Sequence, residues 1–374
     1  ESYKQAIKIR PDYANAYSNI GAVVGQVVFT SGDPDLQQII ISLLNKGTYA
    51  RPRNISKTAI SLLKFEPLLQ KIFEKHSAGE LAESLQETIS GLSDLPLLLK
   101  LMIVCPIPDL KIESLLKDIR TCLLLSASEI VETPEVLRFQ SALALQCFTN
   151  EYVYSQTNKE ANALEKLEYV IEEELLSGIQ PTPQSILCLA SYKALQEYKW
   201  CKLLTLSTHV EGVFTRQIFD PKEEARLKPT IPALQKITDK VSSRVREQYE
   251  GNPYPRWVNL GLTVNSITVF TMVKKLNLRL CNKAILDVAS PNILIAGCGT
   301  GQHSIETAST IKNSKVLGVD LSLSSLAYAK RKTEELGLQN LEYMQADILD
   351  LEKLDRKFDV IESSGVLHHM DKPM

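Results

Sequence analysis

Hydrophobic and polar positions along this chain follow two rhythms, one before and one after residue 290. In the earlier part apolar residues recur at helical spacing: Leu164, Leu167, Ile171 and Leu175 make one stripe, closed by Gly178. The run Glu172, Glu173 and Glu174 falls on the solvated side of the same helix. Cap residues followed by proline at Asp33-Pro34, Thr133-Pro134, Thr182-Pro183 and Asp220-Pro221 predict helix starts. The longest apolar stretch, Leu95 to Val104, carries Lys100 and stops before Pro106. It is too short to span a bilayer and predicts a core helix. After residue 290 the apolar runs are short: Ile293 to Ala296, KVLGVD (315–320), LEYMQADI (341–348) and FDVIES (358–363). Such runs, alternating with helix-compatible segments, predict an α/β unit with a buried parallel sheet.

The first of these runs leads straight into Gly297, Gly299 and Gly301. A strand that ends in glycines lets a ligand lie against bare backbone, because no Cβ blocks the approach, although a plain tight turn has the same composition. The acids downstream add to the signal. Asp320 ends the second run, roughly 20 residues beyond the glycines. Asp347 stands near the end of the third. Acids at such positions also serve as helix caps. Asp350 and Asp359 read as structural, one in a helical turn and one opening the fourth strand. A nicotinamide dehydrogenase would need Gly or Ala at position 302, where this chain has Gln302.

These four motifs, in this order over residues 290–374, resemble the class I S-adenosylmethionine-dependent methyltransferases. The resemblance implies a Rossmann-like α/β methyltransferase domain over 241–374, C-terminally truncated, since four strands can be read where a complete sheet of the class has seven. It implies S-adenosyl-L-methionine as cofactor. Gly297, Cys298, Gly299 and Gly301 would pass under the tail and ribose, with Cys298 chosen for its small size. Asp320, with Leu321 beside it, would accept from the ribose hydroxyls. Asp347 would take the adenine amine, Ile348 would pack near the base, and Ser363, with Ser364, would border the methyl group. One departure stands out. Many members carry an acid two residues before the first glycine, which helps hold the cofactor's amino group; here that residue is Ile295. Beyond the fourth strand, His368 or His369 either acts as general base or opens the next helix. Ahead of the first strand, QYEGNPYPRW carries Tyr249, Tyr254, Arg256 and Trp257. It looks like a segment of some methyltransferases that covers the cofactor or lines the substrate entrance; an interdomain linker pinned by aromatics is the other reading. A helix near Val264 to Leu276 is expected after it.

Residues 1–24 resemble the join between two tetratricopeptide repeats. Tyr3, Ala6 and Pro11 match the end of one, and Tyr17, Ile20 and Gly21 the first helix of the next. The pattern fades after Val28, so the segmentation expected is a repeat remnant at 1–30, an all-helical domain at 31–240 and the methyltransferase domain. The repeat implies a protein or peptide partner, or else caps the helices that follow. The 374 residues balance 42 Lys and Arg against 44 Asp and Glu, which gives no electrostatic case for nucleic acid. Seven cysteines, scattered without a CxxC pair, argue for reduced thiols in a cytoplasmic setting and against a disulfide framework or a metal site. His76 and His209 are isolated and read as structural. The chain reads as a fragment of a longer protein, poorly stable or inactive alone. Two functions are expected: methyl transfer to an acceptor that the residues do not name, or a repeat-and-helix interaction scaffold carrying an inactive methyltransferase-like domain.

Overall fold

The computed structural model describes residues 2–126, 129–262 and 264–367. They separate into two compact units: residues up to 221 with 257–260, and residues 222–256 with those from 261 on.

The first unit is helical. Helices Ser2–Ile9 and Ala14–Val24 open it, and the latter approaches its neighbours closely through glycine. A Cβ on Gly25 would stand 2.2 Å from the Asn54 carbonyl oxygen, and one on Gly21 would stand 3.0 Å from the Ala50 methyl. The next helix, Pro34–Asn45, starts well after the repeat pattern fades at Val28. Asp33, Thr133 and Thr182 each accept from the backbone N–H three residues on, so each following proline occupies a position whose N–H would have no helical partner. Helix Pro96–Val104 lies in the core, and burial lowers the Lys100 pKa. The predicted stripe buries Ile171 and Leu175 of helix Asn158–Leu176, with Gly178 left-handed just past its end.

Asp220-Pro221 departs from expectation: it continues a helix instead of starting one. An α-helical turn, Glu211–Phe214, passes through a π-helical segment, Thr215–Phe219, into helix Asp220–Leu227. A proline ring in a regular helix would meet the carbonyl four residues back, here that of Gln217. The wider π turn relieves that clash.

The second unit is built on four parallel strands, β1 (Asn292–Ala296), β2 (Lys315–Asp320), β3 (Leu341–Gln345) and β4 (Val360–Glu362), in the order β3-β2-β1-β4. Each apolar run in the sequence becomes a strand: the first gains Asn292, the second keeps its full length, and the third and fourth are shortened. Leu294, Ala296, Leu317 and Val319 form a cluster on one face, joined by Leu234 and Phe358. The helices of this unit are α1 (Lys240–Gly251), α2 (Val269–Lys275), α3 (Gln302–Thr310) and α4 (Leu323–Glu335). Helix α2 is shorter than the expected 264–276, because Ile267 is extended and pairs with the chain after α3. Its N–H donates to the Thr310 carbonyl (2.8 Å), its carbonyl accepts from Lys312 (2.9 Å), and Thr268 then caps the helix. The chain steps from β1 to β2 and β3 on one side and later adds β4 on the other. The switch point therefore lies between β1 and β4, and ligands of open parallel sheets bind outside the carboxyl ends at such a point.

Candidate functional site

The glycine turn sits at the carboxyl end of β1. Gly297 and Cys298 both donate to the Val319 carbonyl (2.9 Å each), which ties the turn to β2, and Gly301 in the left-handed region starts α3. A Cβ on Gly301 would lie 2.6 Å from the Ala329 methyl and 2.9 Å from the Tyr343 hydroxyl, so packing against α4 and β3 requires a glycine there. Gly299 is different. Its φ of 53° also favours glycine, but among the described residues nothing beyond its chain neighbours stands within 4 Å of where its Cβ would be, so the turn is uncovered at this residue. Cys298 is buried, and burial, followed by the charge of Asp320, pushes its thiol well above the usual range. It is a small packing residue and a poor nucleophile.

Asp320 stands beside Gly299. One carboxylate oxygen accepts from the Gly299 N–H (2.8 Å) and the other from the Ser322 N–H (3.0 Å), so the side chain bridges the glycine turn and the start of α4. Burial raises its pKa, and the negative charge of Glu250 adds to the rise; the bonds from Ser322 and Gly299 oppose it without cancelling it. Leu321 is half-buried, and its carbonyl accepts from the Gln345 side chain (2.8 Å). The Asp320 carbonyl accepts from Ala346 (3.0 Å), which brings the next segment alongside. Asp347 is buried there, and one of its oxygens caps the 3-10 helix Ile348–Lys353 by accepting from Leu349 (3.0 Å). Ile348 packs against the sheet cluster. Asp350 pairs with Lys353 (2.6 Å), and Asp359 accepts from Asn292 (2.8 Å) at the start of β4.

The last turn of α1 and the segment after it are fastened at either side of the glycine turn. The Ser322 hydroxyl shares its one proton between the Tyr249 carbonyl (3.1 Å) and the Glu250 carboxylate (3.0 Å), and Ser324 donates to that carboxylate through its N–H (3.2 Å). Burial raises the Glu250 pKa, but the Ser324, Ser322 and Lys228 interactions outweigh it and hold the group ionised. At the far end the Thr300 hydroxyl donates to the Pro255 carbonyl (2.9 Å). Residues 249–255 thus run as a strap from the N-terminus of α4 to the glycine turn. Tyr254 on that strap is 61% exposed, and Arg256 is half-buried.

Sequence reasoning passed over Glu362 and His303. Glu362 ends β4, and its Oε2 lies 2.6 Å from His303 Nε2 and accepts from the Thr307 hydroxyl (3.1 Å) on α3. An apolar run ending in an acid was the signal that singled out Asp320; FDVIES carries the same signal one residue before Ser363. Ser363 and Ser364 follow β4 and are exposed. His368 and His369 lie outside the described residues.

Comparison with known proteins bears on this arrangement. The family described as "Methyltransferase domain" matches residues 293–374, and that described as "TPR repeat" matches residues 1–27. An uncharacterized protein of Synechococcus is 31% identical over 94 residues, 25% of this chain and 22% of the relative. A probable (S)-tetrahydroprotoberberine N-methyltransferase of Papaver bracteatum is 35% identical over 78 residues, 21% of this chain and 22% of the relative. A tRNA (guanine-N(7)-)-methyltransferase of Rubrobacter xylanophilus is 39% identical over 66 residues, 18% of this chain and 30% of the relative. The chain therefore spans less than a third of the length of each of these relatives. No solved structure matches significantly. No helix among the described residues is long and apolar enough to cross a membrane. With four parallel strands, a glycine turn on the first and an acid ending the second, the later part of the chain is a class I, Rossmann-like methyltransferase domain, fused to an N-terminal tetratricopeptide-repeat segment and an all-helical region.

Proposed function

We propose that this chain binds S-adenosyl-L-methionine at the carboxyl ends of β1 to β3 and transfers its methyl group to an acceptor. The observation that carries the reading is the uncovered Cα face of Gly299 beside the Asp320 carboxylate that its N–H bonds. The residues fit the group. Asp320 accepts one N–H at each oxygen and has lone pairs left for the two ribose hydroxyls. A charge-assisted bond of this kind contributes about 1.5–3 kcal/mol. Gly299 leaves room for the ribose and tail. The second oxygen of Asp347 serves the adenine amine, with Leu321 and Ile348 beside the base and Ser363 toward the methyl group. When bound, the cofactor supplies an already activated methyl group, so this chain's residues have only to bind, align and exclude water. The strap of residues 249–255, with Tyr249, Tyr254 and Arg256, serves the last two tasks and borders the acceptor site.

The relatives' names include a small-molecule N-methyltransferase and a tRNA methyltransferase, so the domain leaves the acceptor open. The repeat segment supports a protein or peptide partner. Free thiols at all seven cysteines support a cytoplasmic site. A second reading, a scaffold whose methyltransferase-like domain does not turn over, is favoured by the fully buried Ile295 at a position often acidic in the family. Incubating the full chain with labelled S-adenosylmethionine and cell extract separates the two. Label appearing in one class of product, protein, nucleic acid or small molecule, supports the enzyme and names its acceptor class; binding without transfer to any class supports the scaffold.

A further inference from the structure

The β1–β4 ladder pairs Ile295 with Glu362 in parallel register, and residues abreast in a parallel ladder project to the same face. The carboxylate missing from position 295 is therefore present on the neighbouring strand, at the same height beneath the glycine turn. We infer that Glu362 holds the ammonium of the cofactor's amino-acid tail.

The inference rests on the cofactor reading above and extends it to the tail. Three observations support it. Glu362 is one of the acids at the carboxyl edge of the sheet, and it flanks the switch point on the side opposite Asp320. Two strand spacings of about 4.8 Å separate them, roughly the path from ribose to amino group through the sulfur. The carboxylate is held in place: both His303 and Thr307 bond Oε2, and among the described residues no hydrogen bond is recorded at Oε1. It is also charged. Burial raises its pKa, but His303, by hydrogen bond and by charge, and Thr307 outweigh that and lower it. A side chain only 24% exposed, held ionised at the carboxyl edge of the sheet, suits an ammonium ion. The bland alternative is a pin that fastens α3 to β4.

The test compares two ligands that share adenosine and a neutral sulfur but differ in the tail: S-adenosylhomocysteine has it, and methylthioadenosine lacks it. Calorimetry with the full chain should show Glu362→Gln weakening S-adenosylhomocysteine ten- to a hundredfold while methylthioadenosine changes less than twofold. Thr307→Val, which removes a bond to the same oxygen but leaves the charge, should keep the ratio of the two affinities within about threefold of wild type. Equal losses for both ligands in a folded Glu362→Gln protein make the residue a pin and overturn the assignment. So does no loss for either. If Glu362→Gln does not fold, Glu362→Asp, which withdraws the charge by one methylene, is read by the same ratio. A wild-type protein that binds neither ligand overturns the cofactor reading itself, and this assignment with it.

Discussion

The glycines of the turn after β1 provide a matched pair of perturbations, one structural and one functional. Alanine at Gly301 forces a Cβ to 2.6 Å from the Ala329 methyl and 3.1 Å from the Ala329 Cα, in a left-handed backbone of φ 84°. The conformation costs about 1–2 kcal/mol, and overpacking against a helix backbone adds about 1–3 kcal/mol. The sum, about 2–5 kcal/mol, is a large share of the ~5–15 kcal/mol that stabilises a typical domain. Melting should fall by roughly 4–20 °C. Alanine at Gly299 carries the conformational cost alone, because its Cβ would meet nothing within 4 Å among the described residues. Melting should fall only a few degrees, by about 2–8 °C. Its methyl group nonetheless occupies the space assigned to the cofactor, so affinity for S-adenosylmethionine should drop more than tenfold in a protein that is still folded. Calorimetric melts and titrations on both variants make the comparison. If Gly299→Ala binds as wild type does, the open space belongs to something other than the cofactor. If Gly301→Ala melts with wild type, the close contact with α4 is wrong.

Three further outcomes follow from the site. Thr300→Val removes the bond to the Pro255 carbonyl and should weaken cofactor binding severalfold while costing only about 0.5–1.5 kcal/mol of stability, read by titration and melting; unchanged binding would detach the strap from the site. The pH response should show in both affinity and stability. Asp320, whose pKa is raised above 3.8, must be ionised to accept from both ribose hydroxyls, so affinity falls as pH drops toward that raised value. Glu250 and Glu362 are lowered from 4.5; the stability they contribute is present above 4.5 and is lost as pH falls through their lowered folded values. Affinity and melting temperature should therefore both fall on acidification, and affinity that stays level while melting temperature falls would contradict the Asp320 assignment. In native protein iodoacetamide should label exposed Cys281 and spare buried Cys298, read by mass spectrometry; prompt labelling at Cys298 would contradict the packed turn.

The sheet was legible because parallel strands buried on both faces write themselves as short apolar runs, and the glycines and Asp320 follow one of those runs directly. Long-range pairing was not. Arg331 on α4 reaches Glu224 (2.9 Å), a buried ion pair between segments with no common motif. Residues 232–234 lie along the end of β3, where Pro232 accepts from Gln345 (2.8 Å) and Leu234 donates back (2.9 Å), so the α/β unit begins before residue 241. Ser322 and Ser324 gave no hint that they would bind the backbone of the QYE segment. Glu362 was visible by the same pattern as Asp320, but its meaning depends on a register that only the folded ladder displays.

Titration calorimetry of the full chain with S-adenosylmethionine, wild type against Asp320→Ala, tests the central claim most directly. The account predicts saturable binding by wild type and a loss of at least tenfold in the variant, for two charge-assisted bonds of about 1.5–3 kcal/mol each. Equal affinity in a folded variant, or no binding by wild type, would contradict it.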